Sequence, residues 1–355
     1  MRWYVIWLLA FAAAFGVQAA LWHAEHITDE SVWTRRVEDM ARDLKSRPLI
    51  FDASRYSGHP GMTVILGGGL LRLTGLSGLE ALRFAMTILI AAAAAGIVTM
   101  CKVLRPERSW WVWAFVLATA HPNYLHASPT NAIAMVLLTL AVLLAWRGPK
   151  AAWLMGITLG LSAATRLPIT VLIGAPLVLY IWRLSGWQSA ATATATGLAA
   201  LVATNPLLWQ APVEHMAHIF ARSQVHYAQI VTISPSVQKF LFPTALAWVS
   251  LALGVCVAVF AWRRPRLDFS PPASLIATLV VTSAGVGAIL LTAAGFSLRY
   301  FYPLILMWEL LLPLFFLQLA AWAGWATRFP SLTLERSLLA VLILGNLAVF
   351  FSSMF

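Results

Sequence analysis

Residues 59–75, HPGMTVILGGGLLRLTG, decide how this chain is laid out. The stretch is apolar but short, and Gly67, Gly68 and Gly69 in its middle weaken a helix through the backbone freedom each must lose. If it crossed a bilayer, Lys102, Arg105 and Arg108, which follow the next apolar run, would lie outside. If it only lies at the interface, those three turn inward. Arg147 and Lys150, Arg183, Arg263, Arg264 and Arg266, and Arg328 and Arg336 then fall on that same side. Short cytoplasmic loops carry an excess of Lys and Arg. The stretch therefore reads as interfacial or re-entrant, with the N-terminus inside.

The apolar runs on either side of it set the fold class. The chain is 61% apolar and 10% charged, and runs near 20 residues recur along it, the length that crosses a hydrocarbon core. The 17 tryptophans suit a bilayer interface, where indole prefers to sit. The alternation and turn signals of a β-barrel are absent. The expected fold is an all-α integral membrane protein with about eleven spans. They fall near 3–22, 79–104, 110–125, 131–146, 151–164, 167–182, 187–208, 240–262, 273–295, 300–324 and 337–351. The first run reads as an uncleaved helix, although Val17 and Ala19 also make a signal-peptide cut pattern. Two polar loops, 23–78 and 210–239, lie on the outer side of a single transmembrane domain covering 1–355. No internal repeat and no soluble C-terminal domain is visible.

The net charge of +11 would suggest nucleic acid in a soluble protein. Here most cations flank apolar runs, so orientation and anionic lipid headgroups account for them and no nucleic-acid partner is expected. Cys101 and Cys256 lie in or beside spans and make no disulfide framework.

Only 13 residues are acidic, yet Asp29 and Glu30 stand side by side soon after the first span. In ESVWTRRVEDMARDLKSR, Trp33, Val37, Met40 and Leu44 recur at helical spacing, with charges on much of the rest. This is an amphipathic helix expected to lie on the membrane surface. Asp29 has two readings. It is an N-cap with Glu30 in the first turn, complementing the helix dipole. It is also well placed as a general base beside the bilayer, taking a proton from an acceptor that attacks a lipid-linked electrophile. Arg35, Arg36, Arg42, Arg47 and Arg55 break the positive-inside trend. Neighbouring acids neutralise them, or they recognise a phosphate headgroup.

Several stretches together resemble the GT-C class of membrane glycosyltransferases, which includes protein O-mannosyltransferases and the aminoarabinose transferase of lipid A. TDESVWTRRVEDMAR resembles the acidic pair of that family's first outer loop. YSGHPGMTVILGG is similar to its His-Pro before an interfacial stretch. GITLGLSAATRLPITVLIGAPLVLYIW resembles its paired helices, with Thr165 and Arg166 at the junction. TNPLLWQAPVEHMAHIF is similar to its exit into the second outer loop, and LRYFYPLILMWELLLPL to its Arg-Tyr-x-x-Pro helix start. The motifs keep the family's order over about residues 1–320.

The resemblance implies inverting sugar transfer from a polyprenyl-phosphate-linked donor to a glycan, lipid or protein acceptor, at the outer face of a bacterial inner membrane. Asp29, assisted by Glu30, would be the catalytic base. Arg35, Arg36, Arg55, His59, Arg166, Arg299 and Tyr300 would bind the donor. One departure bears on cofactors. Thr130 and Asn131 stand where family members carry an acid, and a neutral Asn is a poorer ligand for a hard cation than a carboxylate. This weakens the case for a divalent metal.

The remaining polar residues have bland readings beside sharp ones. His215, His218, Arg222 and His226 share one face of a helix starting near Pro212. An interfacial helix explains them better than a metal site, because only the spacing of the first two suits chelation. Snorkelling explains Arg166 and Arg299, and donor phosphate is the other reading, because a cation facing a membrane cavity needs an anion. Glu309, inside a span, has no assigned role. Two other functions fit less well. A transporter or lipid flippase would be expected to show repeats and mid-membrane charges. A non-catalytic relative would tolerate the missing second acid.

Overall fold

The computed structural model describes residues 3–20, 30–46, 62–104 and 129–204, with Val213 and Leu279 as isolated positions. Among the described residues the secondary structure is all helical. The helices are α1 (Trp3–Ala20), α2 (Glu30–Ser46), α3 (Met62–Thr74), α4 (Gly78–Leu104), α5 (Pro129–Trp146), a 3-10 turn (Pro149–Ala151), α6 (Ala152–Ser185) and α7 (Trp187–Ala203). Apart from Val213 and Leu279, the expected runs at 110–125, 240–262, 273–295, 300–324 and 337–351, and the expected second outer loop, lie outside the described residues.

The decisive stretch is helical in spite of its glycines. α3 has 13 residues, or about 20 Å at 1.5 Å per residue, too short for a hydrocarbon core of about 30 Å. Its end is written in LTGLSGLE. Gly75 takes φ +70°, a conformation that favours glycine, and its N–H reaches Leu71 O at 3.0 Å. Ser77 then starts α4. The Glu80 N–H donates to Ser77 Oγ at 3.3 Å and the Ser77 N–H donates to Glu80 Oε2 at 2.9 Å. This reciprocal pair satisfies two donors that the first turn would leave open. Ser77→Ala is expected to speed amide exchange at Glu80 roughly fivefold, the cost of one N-cap bond; hydrogen–deuterium exchange would read it.

α4 contains the one helix among the described residues that is long and apolar enough to cross a membrane, Gly78–Met100. α1 packs along it. Ile6, Ala10 and Ala14 recur every four residues and are buried. Trp7, Phe11 and Phe15 stack at the same spacing, with centroids 5.2 and 6.1 Å apart. Phe15, near the end of α1, meets Phe84, near the start of α4, edge to face at 6.5 Å. The two helices are therefore antiparallel. On α4, the run Ala91–Ala95 leads into Gly96, where a Cβ would lie 2.5 Å from Thr139 Oγ1 of α5.

α6 is two helices folded back on each other. Arg166 has φ −149° and ψ 80°. Two residues on, Pro168 offers no N–H, and its ring would crowd the carbonyl of Ala164 in a continuous helix. The reversal is shown by contacts. Gly174 lies 3.4 Å from the Leu159 side chain, measured from where a Cβ would be, and Ser162 Oγ is 2.7 Å from Thr170 Oγ1. In a straight helix, residues fifteen apart would be about 22 Å apart. The expected spans 151–164 and 167–182 are thus the two arms of a hairpin with Arg166 at its apex.

α7 packs against the first arm through small residues. Gly156 sits against Ala193 and Thr196, and Gly160 against Gly197 and Ala200. The contacts advance four residues on both helices, so the first arm and α7 run parallel. Thr196 Oγ1 donates across to Trp153 O at 3.0 Å. Small residues that let backbones approach, with a hydroxyl bonding across, are what drives helix association where lipid offers no hydrophobic gain. This order places Arg147, Lys150 and Arg183 at one end of α5, α6 and α7, and Arg166 at the other.

Candidate active site

Helix α2 starts at Glu30, the residue after Asp29, and is held against α3 and α4. Trp33 is 8% exposed, while Val37 and Met40 are fully buried. The glycines beneath them make this possible. A Cβ on Gly67 would lie 2.7 Å from Val37 Cγ2, and one on Gly68 would lie 2.9 Å from Met40 Cγ. Gly78, at the start of α4, is pressed by the Glu38 side chain in the same way, while a Cβ on Gly69 would meet nothing within 4 Å among the described residues. Two of the glycines that lower the helix propensity of α3 are therefore its docking surface. The apolar stripe of α2 was expected to face the membrane surface; its residues Trp33, Val37 and Met40 are buried within the protein, where Gly67 and Gly68 of α3 let the two helices approach closely.

With that face covered, the cations of α2 occupy the other sides. Arg35 is exposed. The Arg36 guanidinium sits 4.7 Å from the centroid of the Trp33 ring, a cation–π contact that fixes its direction. Arg42 pairs with Asp39 one turn back, as expected for acids neutralising part of the loop's charge. The Thr34 hydroxyl, one turn after Glu30, is buried and has no hydrogen-bond partner among the described residues.

A second polar cluster lies at the hairpin apex. Ser162, Thr165 and Thr170 are buried. Besides meeting Ser162, the Thr170 hydroxyl donates to Arg166 O at 2.9 Å, and Thr165 Oγ1 donates to Leu161 O at 3.0 Å. These two bonds to backbone run to the carbonyl four residues back, the way Ser and Thr hydroxyls are satisfied inside helices. Arg166 is partly buried, with its Nε enclosed by the surrounding atoms.

Of the residues singled out from sequence, Arg35 and Arg36 share α2, Glu30 opens it, and Arg166 stands apart at the hairpin apex. α2 packs chiefly on α3 and α4, whereas α6 packs on α5 and α7. Asp29, Arg55, His59, Arg299 and Tyr300 lie outside the described residues, as do the histidines of the second loop. Thr130 and Asn131 belong to the first turn of α5. Among the described residues, no three or more His, Cys, Asp or Glu side chains gather into a metal cage. Sequence reasoning missed the Ser162–Thr170 pair; its signal is two hydroxyls placed four residues either side of Arg166, in SAATRLPIT. It also missed the Ser77–Glu80 pair, whose signal is S-x-x-E before an apolar run.

Comparison of the chain with family models, with curated proteins and with solved structures finds no match.

Proposed function

We propose that this chain is an inverting membrane glycosyltransferase of GT-C-like architecture, with about eleven spans, moving a sugar from a polyprenyl-phosphate donor to an acceptor at the outer face. The observation that carries the reading is the docking of α2. A helix that begins at Glu30, directly after Asp29, is clamped on Gly67, Gly68 and Gly78 and turns Arg35 to solvent. A carboxylate at the start of such a helix keeps its position relative to the bundle, which is what a general base needs.

The positive-inside rule supplies the sidedness. Lys102 near the end of α4, and Arg147, Lys150 and Arg183 at one end of α5 and α6, belong to the cytoplasmic side in this reading. The start of α4, with α2 docked on it, and the Arg166 apex then share the outer side. Asp29 accepts the proton of the acceptor nucleophile as it attacks the anomeric carbon. The C–O bond to the donor phosphate breaks, the polyprenyl phosphate leaves, and the configuration inverts. Arg35, Arg36 and Arg166, with Arg55, His59, Arg299 and Tyr300, receive the charge that builds on the leaving phosphate. Fixed donors facing a developing anion are strongest where water is excluded.

Membranes carrying the full chain, given radiolabelled polyprenyl-phosphate sugars together with endogenous acceptors, should move label out of the donor-lipid fraction. Label that stays on the donor across mannosyl, glucosyl and aminoarabinosyl lipids would count against the reading.

A further inference from the structure

The two arms of α6 are short for a bilayer. Trp153, Trp182 and Trp187 are exposed at the end away from the apex, beside Arg147, Lys150 and Arg183. Indoles and cations together mark the inner headgroup level in the membrane reading. Arg166 lies about 20 Å above Trp153 along the first arm and about 24 Å above Trp182 along the second, at 1.5 Å per residue. α7 gives the same height. Gly197 is level with Gly160, so Ala203, the last residue of α7, is level with Arg166 and about 24 Å above Trp187. The hydrocarbon core is about 30 Å thick, so the apex stops about 6–10 Å short of its outer edge. Tilt would lower it further.

α4 reaches higher. In this reading α4 and α5 both run from the outer to the inner side, and Gly96 of α4 meets Thr139 of α5. α4 begins about 27 Å above that contact and α5 about 15 Å above it, which leaves the start of α4 about 12 Å above the start of α5. The tight turn at Gly148–Ala151 sets the end of α5 level with the start of α6. α5 is about 26 Å long and the first arm about 21 Å, so the apex is no higher than the start of α5.

Irregular backbone at membrane depth is tolerated only inside protein or against water. Helical φ/ψ is broken at Arg166, and the first turn of a helix leaves N–H groups without helical partners. Snorkelling lifts a guanidinium toward the surface; it does nothing for the peptide groups of the reversal. Among the described residues, protein does not close over them: Ala164 and Arg166 are partly buried and Leu167 is 40% exposed. A cation at this depth likewise faces a bundle interior or a water-filled cavity.

We propose that a water-filled recess, open to the outer side, reaches down to the Arg166 apex, with the hairpin tip as its floor and the start of α4 standing above it, and that it admits an oxyanion group of phosphate size. The recess rests on the membrane reading and its sidedness, but not on sugar transfer. Its depth follows from backbone length, whatever the Arg166 guanidinium binds.

The test is cysteine labelling of the full chain in sealed right-side-out vesicles, with Cys101 and Cys256 replaced by Ala. Single cysteines are placed by Ala164→Cys and Arg166→Cys at the apex and by Ser31→Cys on the exposed side of α2. Each is treated from outside with a membrane-impermeant sulfonate thiol reagent, whose sulfonate matches a phosphate group in size. Each is treated separately with a maleimide carrying a long polyethylene glycol chain. A thiol reacts as its thiolate, which dry or lipid surroundings suppress. Ser31→Cys should react with both reagents. The apex cysteines should react readily with the sulfonate, but at least about tenfold more slowly than Ser31→Cys with the bulky maleimide, a rise in barrier of about 1.4 kcal/mol. Ala164→Cys keeps the arginine, and decides if Arg166→Cys does not accumulate. Apex cysteines that take the bulky reagent as fast as Ser31→Cys would place the apex at the surface and overturn the recess. Apex cysteines inert to both reagents would make the apex dry and overturn it equally. An unreactive Ser31→Cys would overturn the sidedness, and the recess with it. Labelling uses no sugar donor, so loss of the recess leaves sugar transfer to stand or fall on its own assay.

Discussion

Asp29→Asn is expected to lower sugar transfer by a factor of about 10²–10⁴, the usual contribution of a positioned general base, while protein level and thermal unfolding stay near wild type. The substitution separates two roles that share one position. Asn is as good an N-cap as Asp, so if Asp29 serves only to start α2, the Asn variant should transfer sugar normally. An amide cannot take a proton from an attacking hydroxyl at neutral pH, so if Asp29 is the base, activity goes while the helix stays. Asp29→Ala removes cap and base together and should lose both activity and some stability. Glu30→Gln, inside the first turn, should cost far less than Asp29→Asn. The measurement is release of label from the donor lipid at matched protein level. Full activity in the Asn variant would refute the assignment of the base, and equal loss in the Asn and Gln variants would make the pair, rather than Asp29, the acceptor.

The largest loss of stability is expected from Gly156→Val. The position of a new Cβ there is already taken by the Ala193 carbonyl and the Thr196 hydroxyl. A backbone carbonyl cannot rotate aside as a side chain would, so the first arm of α6 and α7 must separate. Separation also breaks the Thr196–Trp153 bond and opens the contact at Gly160. Overpacking a well-fitted interface costs about 3 kcal/mol at the upper end of its usual range. A clear drop in unfolding temperature of the purified protein would show it. Gly69→Ala is the matched control. It is also a helix-interior glycine, but among the described residues nothing lies within 4 Å of the position its Cβ would take. Alanine should therefore gain something up to about 1 kcal/mol from helix propensity. Similar losses at Gly156 and Gly69 would mean that the parallel packing of α6 and α7 is wrong.

The contrast between those two glycines marks the boundary of what sequence can tell. The position and type of the described helices were legible in the chain itself. The apolar runs at 3–22, 79–104, 131–146 and 187–208 coincide with α1, α4, α5 and α7 to within a few residues. The break between 164 and 167 coincides with the hairpin apex at Arg166. These are local matters: a run's length, a proline that removes a donor, and the glycines at 75, 148 and 186 with positive φ depend on near neighbours only. Periodicity likewise identified the apolar stripe Trp33, Val37 and Met40. It could not say what covers that stripe, because a 3.6-residue repeat is the same whether lipid or protein lies opposite.

Tertiary structure decided the rest. From propensity, Gly67 and Gly68 are a cost to α3; in the fold they are the floor on which Val37 and Met40 rest. Ser162 and Thr170 are two unremarkable hydroxyls until the chain reverses and brings them to 2.7 Å. Gly156 and Gly160 carry no directional signal until Ala193 and Gly197 arrive beside them and set α7 parallel to the first arm of α6. In each case the local cost of a small or polar residue is written in the sequence. The compensating contact comes from a residue distant in the chain, so only the fold reveals it.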